Sequence, residues 1–170
     1  MKVGQKESEL QTILMTYAME QEMFDTGYKS TLNPLIIAGG PNGALPHAQV
    51  SQRKFKKGDL VVTDLTLRYK GYVSDATRTF ALGKISSQAN EAYEIVKESQ
   101  KAGLKAVKSN IDCKRIDDAC RKIINESGSC FTAKAESVEE LVEAIISLFN
   151  LTKEERITLG SNGRNYFEKE

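Results

Sequence analysis

Histidine is the scarcest reactive side chain in this sequence of 170 residues, which contains His47 alone and no tryptophan. A zinc site with two or three histidine ligands is therefore excluded within this chain. Any metal site has to be built from carboxylates and at most His47. A Ser-His-Asp triad would have to use the same histidine.

Cysteine is also scarce, and its three copies are Cys113, Cys120 and Cys130. An odd number without a CxxC pair argues against a disulfide framework and against a zinc ribbon. Cys113 and Cys120 lie seven residues apart on a predicted helix face. We therefore expect small buried thiols and a reducing, cytoplasmic environment.

Excess charge and long apolar runs are absent as well. The formal net charge is +1, from 24 basic and 23 acidic residues, which argues against a polybasic nucleic-acid binder. No apolar run approaches the roughly 20 residues of a membrane span, and the first eleven residues contain no signal-peptide core. The basic segment 53–57 is interpreted as a solvated turn. The glycine-rich segment 39–43 lacks the ending of a phosphate-binding loop, so no cofactor-binding residue is expected.

The first third of the chain carries clear helix and strand patterns. Apolar spacing predicts a helix over residues 7–24 that Gly27 ends, with Leu10, Ile13, Leu14, Tyr17, Ala18 and Phe24 on one face. Residues 34–38 are typical of a short buried strand. The glycine- and proline-rich stretch from Gly39 to Pro46 predicts a loop, and His47 follows it directly.

The most informative pattern is a predicted hairpin of residues 59–69 and 72–80 around Lys70-Gly71. A two-residue turn pairs Tyr69 with Tyr72, Thr66 with Asp75 and Asp64 with Thr77. Asp64 and Asp75 then lie on one face as diagonal neighbours, roughly 7–8 Å apart at Cα.

Two carboxylates at this spacing repel each other, and a divalent cation would reverse that penalty. The alternative is a pair of solvated aspartates with Arg68 or Arg78 as ion-pair partners. A bulge in either strand would place the two aspartates on opposite faces.

The second half of the chain is predicted to be mainly helical. Helices are expected over residues 87–107 and 115–126, the latter stopping at Gly128. A β-like segment, residues 129–133, is followed by helices at 138–149 and 153–159. Ser137 and Glu140 make a capping box, and a stripe of apolar side chains is expected to pack in a core: Val138, Leu141, Val142, Ile145 and Leu148.

Two sequence blocks carry a family resemblance. The segment PLIIAGGPNGALPHA and the later segment KKGDLVVTDLTLRYKGYVSDATRTF resemble the pita-bread metallopeptidases. The branch they resemble contains Xaa-Pro dipeptidases, proline aminopeptidases and related methionine aminopeptidases. The resemblance covers about residues 1–128. It implies an α/β (α+β) fold, a truncated pita-bread fold with an antiparallel sheet and helices on one face.

The resemblance also implies a site. Asp64 and Asp75 correspond to the first two ligands of a dinuclear centre of Mn, Co or Zn. His47 is similar to the loop histidine that contacts substrate, a peptide with proline at its second position. Thr66 stands where the family usually has glycine, which is a minor departure.

A larger departure concerns the remaining ligands of the family's centre. Its histidine lies in a GHGIG-type segment and its two glutamates in later motifs, and none of these occurs here. The chain has two ligands of five, so we expect weak metal binding and little or no peptidase activity. A homodimer would hide the surface that such a half-fold exposes.

Residues 129–170 resemble instead the C-terminal end of a two-domain glycosyltransferase, and no sugar-nucleotide residue carries over. The alternatives to a peptidase fragment are a non-catalytic interaction module that keeps the fold and a fusion with that glycosyltransferase tail. The predicted domains are therefore residues 1–128 and a helical tail, 129–170.

Overall fold

The computed structural model describes residues 1–23, 35–134 and 136–167. Phe24 and Gly27, where the first helix was expected to end, lie outside these residues. The chain divides into two compact units, Met1–Ser86 and Ser87–Glu170. The first unit contains the sheet and the second is helical.

The first unit is built on a three-stranded antiparallel sheet in the order β1 (Leu35–Gly39), β2 (Leu60–Tyr69) and β3 (Tyr72–Ala81). Strands β2 and β3 are joined by the two-residue turn Lys70-Gly71, in which both residues have positive φ, 47° and 85°. Such a turn matches the right-handed twist of a hairpin. The predicted pairing of Tyr69 with Tyr72 is confirmed.

Helix α1 (Glu7–Glu20) belongs to the main core of this unit. That core contains Leu10, Ile37, Phe55 and Val61, with Leu14, Leu65 and Leu82 packed against it. The helix ends four residues before the predicted end. Ile13 and Tyr17 were expected on its buried face but are 56% and 60% exposed. Of the predicted apolar face, the row of Leu10, Leu14 and Ala18, spaced by four, turns inward, because a helix buries one stripe.

The other face of the sheet carries a smaller cluster of Ile36, Ala38 and Ala48. The predicted buried strand is confirmed, since all five residues of β1 are buried. Within the predicted loop, residues Gly40–Ala44 form a short 3-10 helix. This turn and the segment after it bring Ala48 onto the sheet.

The basic segment 53–57 was expected to be a solvated turn, and the structure departs from this expectation at Phe55. Phe55 is 1% exposed and lies in the main core. Its backbone N–H donates to the carbonyl of Gln5 at 2.9 Å, and its own carbonyl accepts from Gly4 at 2.9 Å. An isolated antiparallel bridge between Lys6 and Lys54 therefore joins the segment to the N-terminal residues, and the side chains of Lys54, Lys56 and Lys57 face water.

The second unit begins with α2 (Ser87–Ala106) and α3 (Cys113–Ser127). The two helices approach closely at Gly103, where an added Cβ would lie 2.5 Å from Cys120 Sγ. Gly128 ends α3 in the left-handed conformation, φ 56°, as predicted. The expectation of buried thiols is wrong: Cys113 and Cys130 are exposed, and Cys120 is half-buried.

Helices α4 (Val138–Asn150) and α5 (Lys153–Phe167) follow. Ser137 Oγ accepts the N–H of Glu140 at 3.2 Å, as expected, but the Glu140 carboxylate accepts from Lys134 instead of Ser137. The reciprocal capping box lies at Thr152 and Glu155. It starts a helix that extends well past the predicted residue 159. The β-like segment 129–133 contains no strand.

The apolar stripe of α4 is not packed in a core, contrary to expectation. Its five predicted core residues are 46–68% exposed, and Phe149 is 84% exposed. Helical spacing shows that a stripe exists, but it does not provide a surface to cover it. No helix in the described part of the chain is long and apolar enough to cross a membrane.

Candidate functional site

Strands β2 and β3 place the two aspartates on one face of the sheet. Asp64 pairs with Thr77, and Thr66 pairs with Asp75, without a bulge between them. Residues paired directly across an antiparallel ladder share a face, so Asp64 and Asp75 are diagonal neighbours. The β-branched residues along both strands favour this extended pairing. The register predicted from sequence is confirmed.

Thr77 links the two strands at this position. Its hydroxyl donates a 2.7 Å hydrogen bond to Asp64 Oδ1. Asp64 is half-buried, whereas Asp75 is exposed. One oxygen of Asp64 is thereby oriented while the carboxylate of Asp75 faces solvent.

The loop that carries His47 packs on the same face of the sheet. Its side chain is exposed, but the next residue, Ala48, is 2% exposed and packs with Ile36 and Ala38. Ile36 pairs with Asp64 across β1 and β2. The backbone of His47 therefore lies on the side of the sheet that carries the two aspartates.

A buried carboxylate that sequence reasoning missed lies beneath this loop. Glu7, the first residue of α1, is 0% exposed. Its oxygens accept from Gly39 N–H at 2.8 Å and from Ser51 Oγ at 2.6 Å. A glutamate in the first turn of a helix is ordinarily a solvated partner of the helix dipole, so the sequence held no signal for its burial.

An ion pair supports the start of the loop. Arg53 donates two hydrogen bonds to Asp59, at 2.8 and 2.9 Å. The hydrogen bond from Arg53 lowers the pKa of Asp59, with help from the Lys56 N–H and against desolvation, and Asp59 raises the pKa of Arg53. A Cβ added to Gly40, whose φ is 54°, would lie 2.7 Å from both partners. This pair therefore packs against the loop and is unavailable as a ligand.

The aspartate face offers carboxylate oxygens, which suit a hard divalent cation. Carboxylate oxygens are preferred by Mg²⁺, Ca²⁺ and Mn²⁺. Among residues 1–23, 35–134 and 136–167, no group of three or more His, Cys, Asp or Glu side chains could hold a metal ion. Asp64 and Asp75 are the two described carboxylates that share this face of the hairpin.

An apolar pocket lies on the other face of the sheet. A space of about 630 Å³ is lined by side chains from α1 and from alternate positions of β2 and β3, among them Leu10, Leu14, Leu65 and Phe80. Along each strand these positions alternate with those of the aspartates, so their side chains lie on the opposite face of the sheet. This cavity is therefore separate from the candidate site.

Comparison with known sequences identifies a family. The model of metallopeptidase family M24 matches residues 1–151, which extends beyond Gly128. An Xaa-Pro dipeptidase of Pyrococcus furiosus is 41% identical over 109 residues, or 64% of this chain and 29% of that protein. The Pyrococcus horikoshii Xaa-Pro dipeptidase is 38% identical over 129 residues, or 74% and 34%. The chain spans about a third of the length of these relatives.

Solved structures agree with this assignment. The prolidase of Pyrococcus horikoshii superposes with a TM-score of 0.69 at 35% identity, covering 76% of this chain and 36% of that one. An Xaa-Pro dipeptidase of Bacillus anthracis gives 0.68 at 32% identity, covering 76% and 35%. The predicted α/β fold of the pita-bread class is therefore confirmed. The domain boundary at Gly128 and the glycosyltransferase resemblance of the tail stay predictions.

Proposed function

This chain belongs to metallopeptidase family M24, and we propose that it supplies the first half of a site for Xaa-Pro dipeptide hydrolysis. In that role Asp64 and Asp75 are metal ligands, and His47 contacts the substrate. One observation carries the proposal: the β2–β3 register sets both carboxylates diagonally on the face that also receives the His47 loop.

The proposed substrate is a peptide with proline at its second position, by analogy with the relatives named Xaa-Pro dipeptidase. The imidazole of His47 donates a hydrogen bond to the carbonyl oxygen as negative charge develops there. Mn, Co or Zn is the proposed ion. With two carboxylates from this chain, most of the ion's coordination shell stays water, so the affinity is roughly millimolar.

Titration with Mn²⁺ tests the two-ligand site. Asp64→Asn and Asp75→Asn should each abolish the binding that calorimetry or electron paramagnetic resonance detects. Asp118→Asn is the control, because Asp118 is an exposed residue of the helical unit paired with Lys114. Tight two-site binding would overturn the ligand count, and binding unaffected by either aspartate would overturn the site.

Hydrolysis of an Xaa-Pro dipeptide with added Mn²⁺ or Co²⁺ tests the activity. We expect no cleavage by these 170 residues alone, because dinuclear hydrolases hold two ions about 3.5–4 Å apart. Cleavage that both aspartate substitutions abolish would show that other side chains complete the centre. Cleavage that survives both substitutions would identify a contaminating peptidase.

The proposal extends to location and assembly. A reducing cytoplasm suits the three free cysteines, Cys113, Cys120 and Cys130. A homodimer would cover the apolar pocket on the face of the sheet opposite the aspartates. Sedimentation at several protein concentrations tests the dimer, and a monomer throughout would reject it.

A further inference from the structure

The carboxylate of Glu7 is the most completely buried charged group that the structure describes. Its residue exposure is 0%. It accepts hydrogen bonds from Gly39 N–H, from Asn42 Nδ2, and from both the N–H and the hydroxyl of Ser51, over distances of 2.6–3.2 Å. A buried charge is tolerated when it is hydrogen-bonded in this way.

The donors come from three points along one segment. Gly39 is the last residue of β1, Asn42 lies in the 3-10 turn, and Ser51 follows the loop. His47 lies between Asn42 and Ser51. A single carboxylate thus ties down both ends of the chain segment that carries His47, whose middle is held by the packing of Ala48.

The network needs an anion at this position. Each group facing Glu7 is a donor, and an ionised carboxylate is an acceptor with about four lone-pair sites. A glutamine would keep one oxygen but would turn an NH₂ group toward at least one donor. Removing the charge therefore leaves buried donors unsatisfied while the volume of the side chain is unchanged.

We propose that Glu7 is a positioning residue, whose carboxylate holds the loop of residues 42–51 so that His47 stays over the face bearing Asp64 and Asp75. The role of His47 in this statement rests on the proposed function. The anchoring of the loop by Glu7 does not.

Amide hydrogen exchange on Glu7→Gln tests the anchoring directly. We expect exchange at Gly39 and Ser51 to accelerate about tenfold, while the core strand amide of Val61 is unchanged. Glu9→Gln is the matched control on the same helix, because Glu9 is exposed and accepts only from Lys6 N–H among the hydrogen bonds described for it. Equal acceleration at Ser51 and Val61 would mean that Glu7 only stabilises the whole unit, which overturns the proposal.

A second variant keeps the test decisive if Glu7→Gln fails to fold. Ser51→Ala deletes the hydroxyl that donates to Glu7 and accepts from Asn42 Nδ2 and from Arg53 N–H. It should accelerate exchange at the Ser51 amide and leave Val61 protected. Protection at Ser51 equal to that of the unmodified chain overturns the proposal.

Paramagnetic broadening by Mn²⁺ tests whether the loop holds His47 near the proposed metal site. The ring signals of His47 are identified directly, because the chain contains a single histidine. In the unmodified chain Mn²⁺ should broaden both the Thr77 methyl signal and the His47 ring signals. Glu7→Gln should reduce broadening at His47 and keep it at Thr77. Equal broadening of His47 in both proteins overturns the positioning role. Absence of broadening at Thr77 overturns the proposed metal site instead, and the exchange data then decide the role of Glu7.

Discussion

The sheet unit and the helical unit differ sharply in how much apolar surface they bury. Of the ten buried apolar residues in the described part of the chain, nine lie in Met1–Ser86 and one, Ile95, lies in Ser87–Glu170. The largest fully buried side chains, including Phe55 and Ile37, are all in the sheet unit. The two units have comparable lengths, so chain length does not explain the difference in buried apolar surface. The difference depends on the neighbouring surfaces against which the helices can pack.

Helices α1 and α4 show this difference most directly. The apolar pattern of α1 is weaker than that of α4, yet Leu10 and Ala18 are buried, at 7% and 3% exposure. The pattern of α4 is regular, yet Ile145 is 58% exposed. Amphipathic spacing decides which side of a helix can be buried, and the neighbouring surface decides whether it is.

The largest expected effect separates two phenylalanines. Phe55→Ala should lower the free energy of unfolding by about 3–5 kcal/mol, because Phe55 is 1% exposed in the main core. Phe149→Ala should change it by less than about 0.5 kcal/mol, because Phe149 is 84% exposed. Urea denaturation followed by circular dichroism measures both. Comparable losses would show that α4 is packed in solution.

A smaller effect concerns the stability of the protein in acid, which depends on the Arg53–Asp59 pair. The side chains of this pair are 20% and 10% exposed. The hydrogen bond from Arg53 lowers the pKa of Asp59 below its unfolded value of about 3.9. The pair's stabilisation is therefore present above about pH 3.9 and is lost as pH falls through the folded pKa.

Asp59→Asn should cost about 1.5–3 kcal/mol at neutral pH and should remove this part of the acid dependence. Urea midpoints at pH 6 and near pH 3 check both statements. Asp118→Asn is the control, because its pair with Lys114 is exposed to solvent. An acid profile unchanged by Asp59→Asn would contradict the assignment.

The candidate site was predictable where local rules dominate. The Lys70-Gly71 turn and the alternation of two strands fix a register, and the register fixes the shared face of Asp64 and Asp75. The burial of Glu7 was not predictable, because its donors at Gly39 and Ser51 lie 32 and 44 residues away. Long-range partners of this kind leave no local pattern.

The same limit explains the errors in the helical unit. The helix stop at Gly128 and the Ser137 cap of α4 follow from local capping chemistry, and the structure agrees with both. The buried thiols and the packed α4 stripe were inferred from residue type alone. Cys113 and Ile145 are exposed because burial requires a partner element at that position.

A third prediction tests the closest helix contact of the helical unit. Gly103→Ala should cost about 1 kcal/mol, since overpacking costs about 1–3 kcal/mol and alanine regains about 1 kcal/mol of helix propensity. Its Cβ would lie 2.5 Å from Cys120 Sγ. Cys120→Ala in the same chain should rescue the loss, and a double-mutant cycle of unfolding free energies measures the coupling. Additive effects would show that the helices do not touch here.

The smallest expected effect on stability concerns the stripe of α4 and compares two isoleucines of the helical unit. Ile145→Lys should change the unfolding free energy by less than about 0.5 kcal/mol, because Ile145 is 58% exposed. It should nevertheless reduce the binding of a dye that reports apolar surface, since it interrupts the exposed stripe.

Ile95→Lys is the opposing case: Ile95 is 5% exposed, and a buried unpaired charge should destabilise the unit strongly. If Ile145→Lys destabilises the protein as much as Ile95→Lys does, the stripe is covered in solution. If that loss grows with protein concentration, the cover is a second copy of the chain, because stability that depends on association follows mass action.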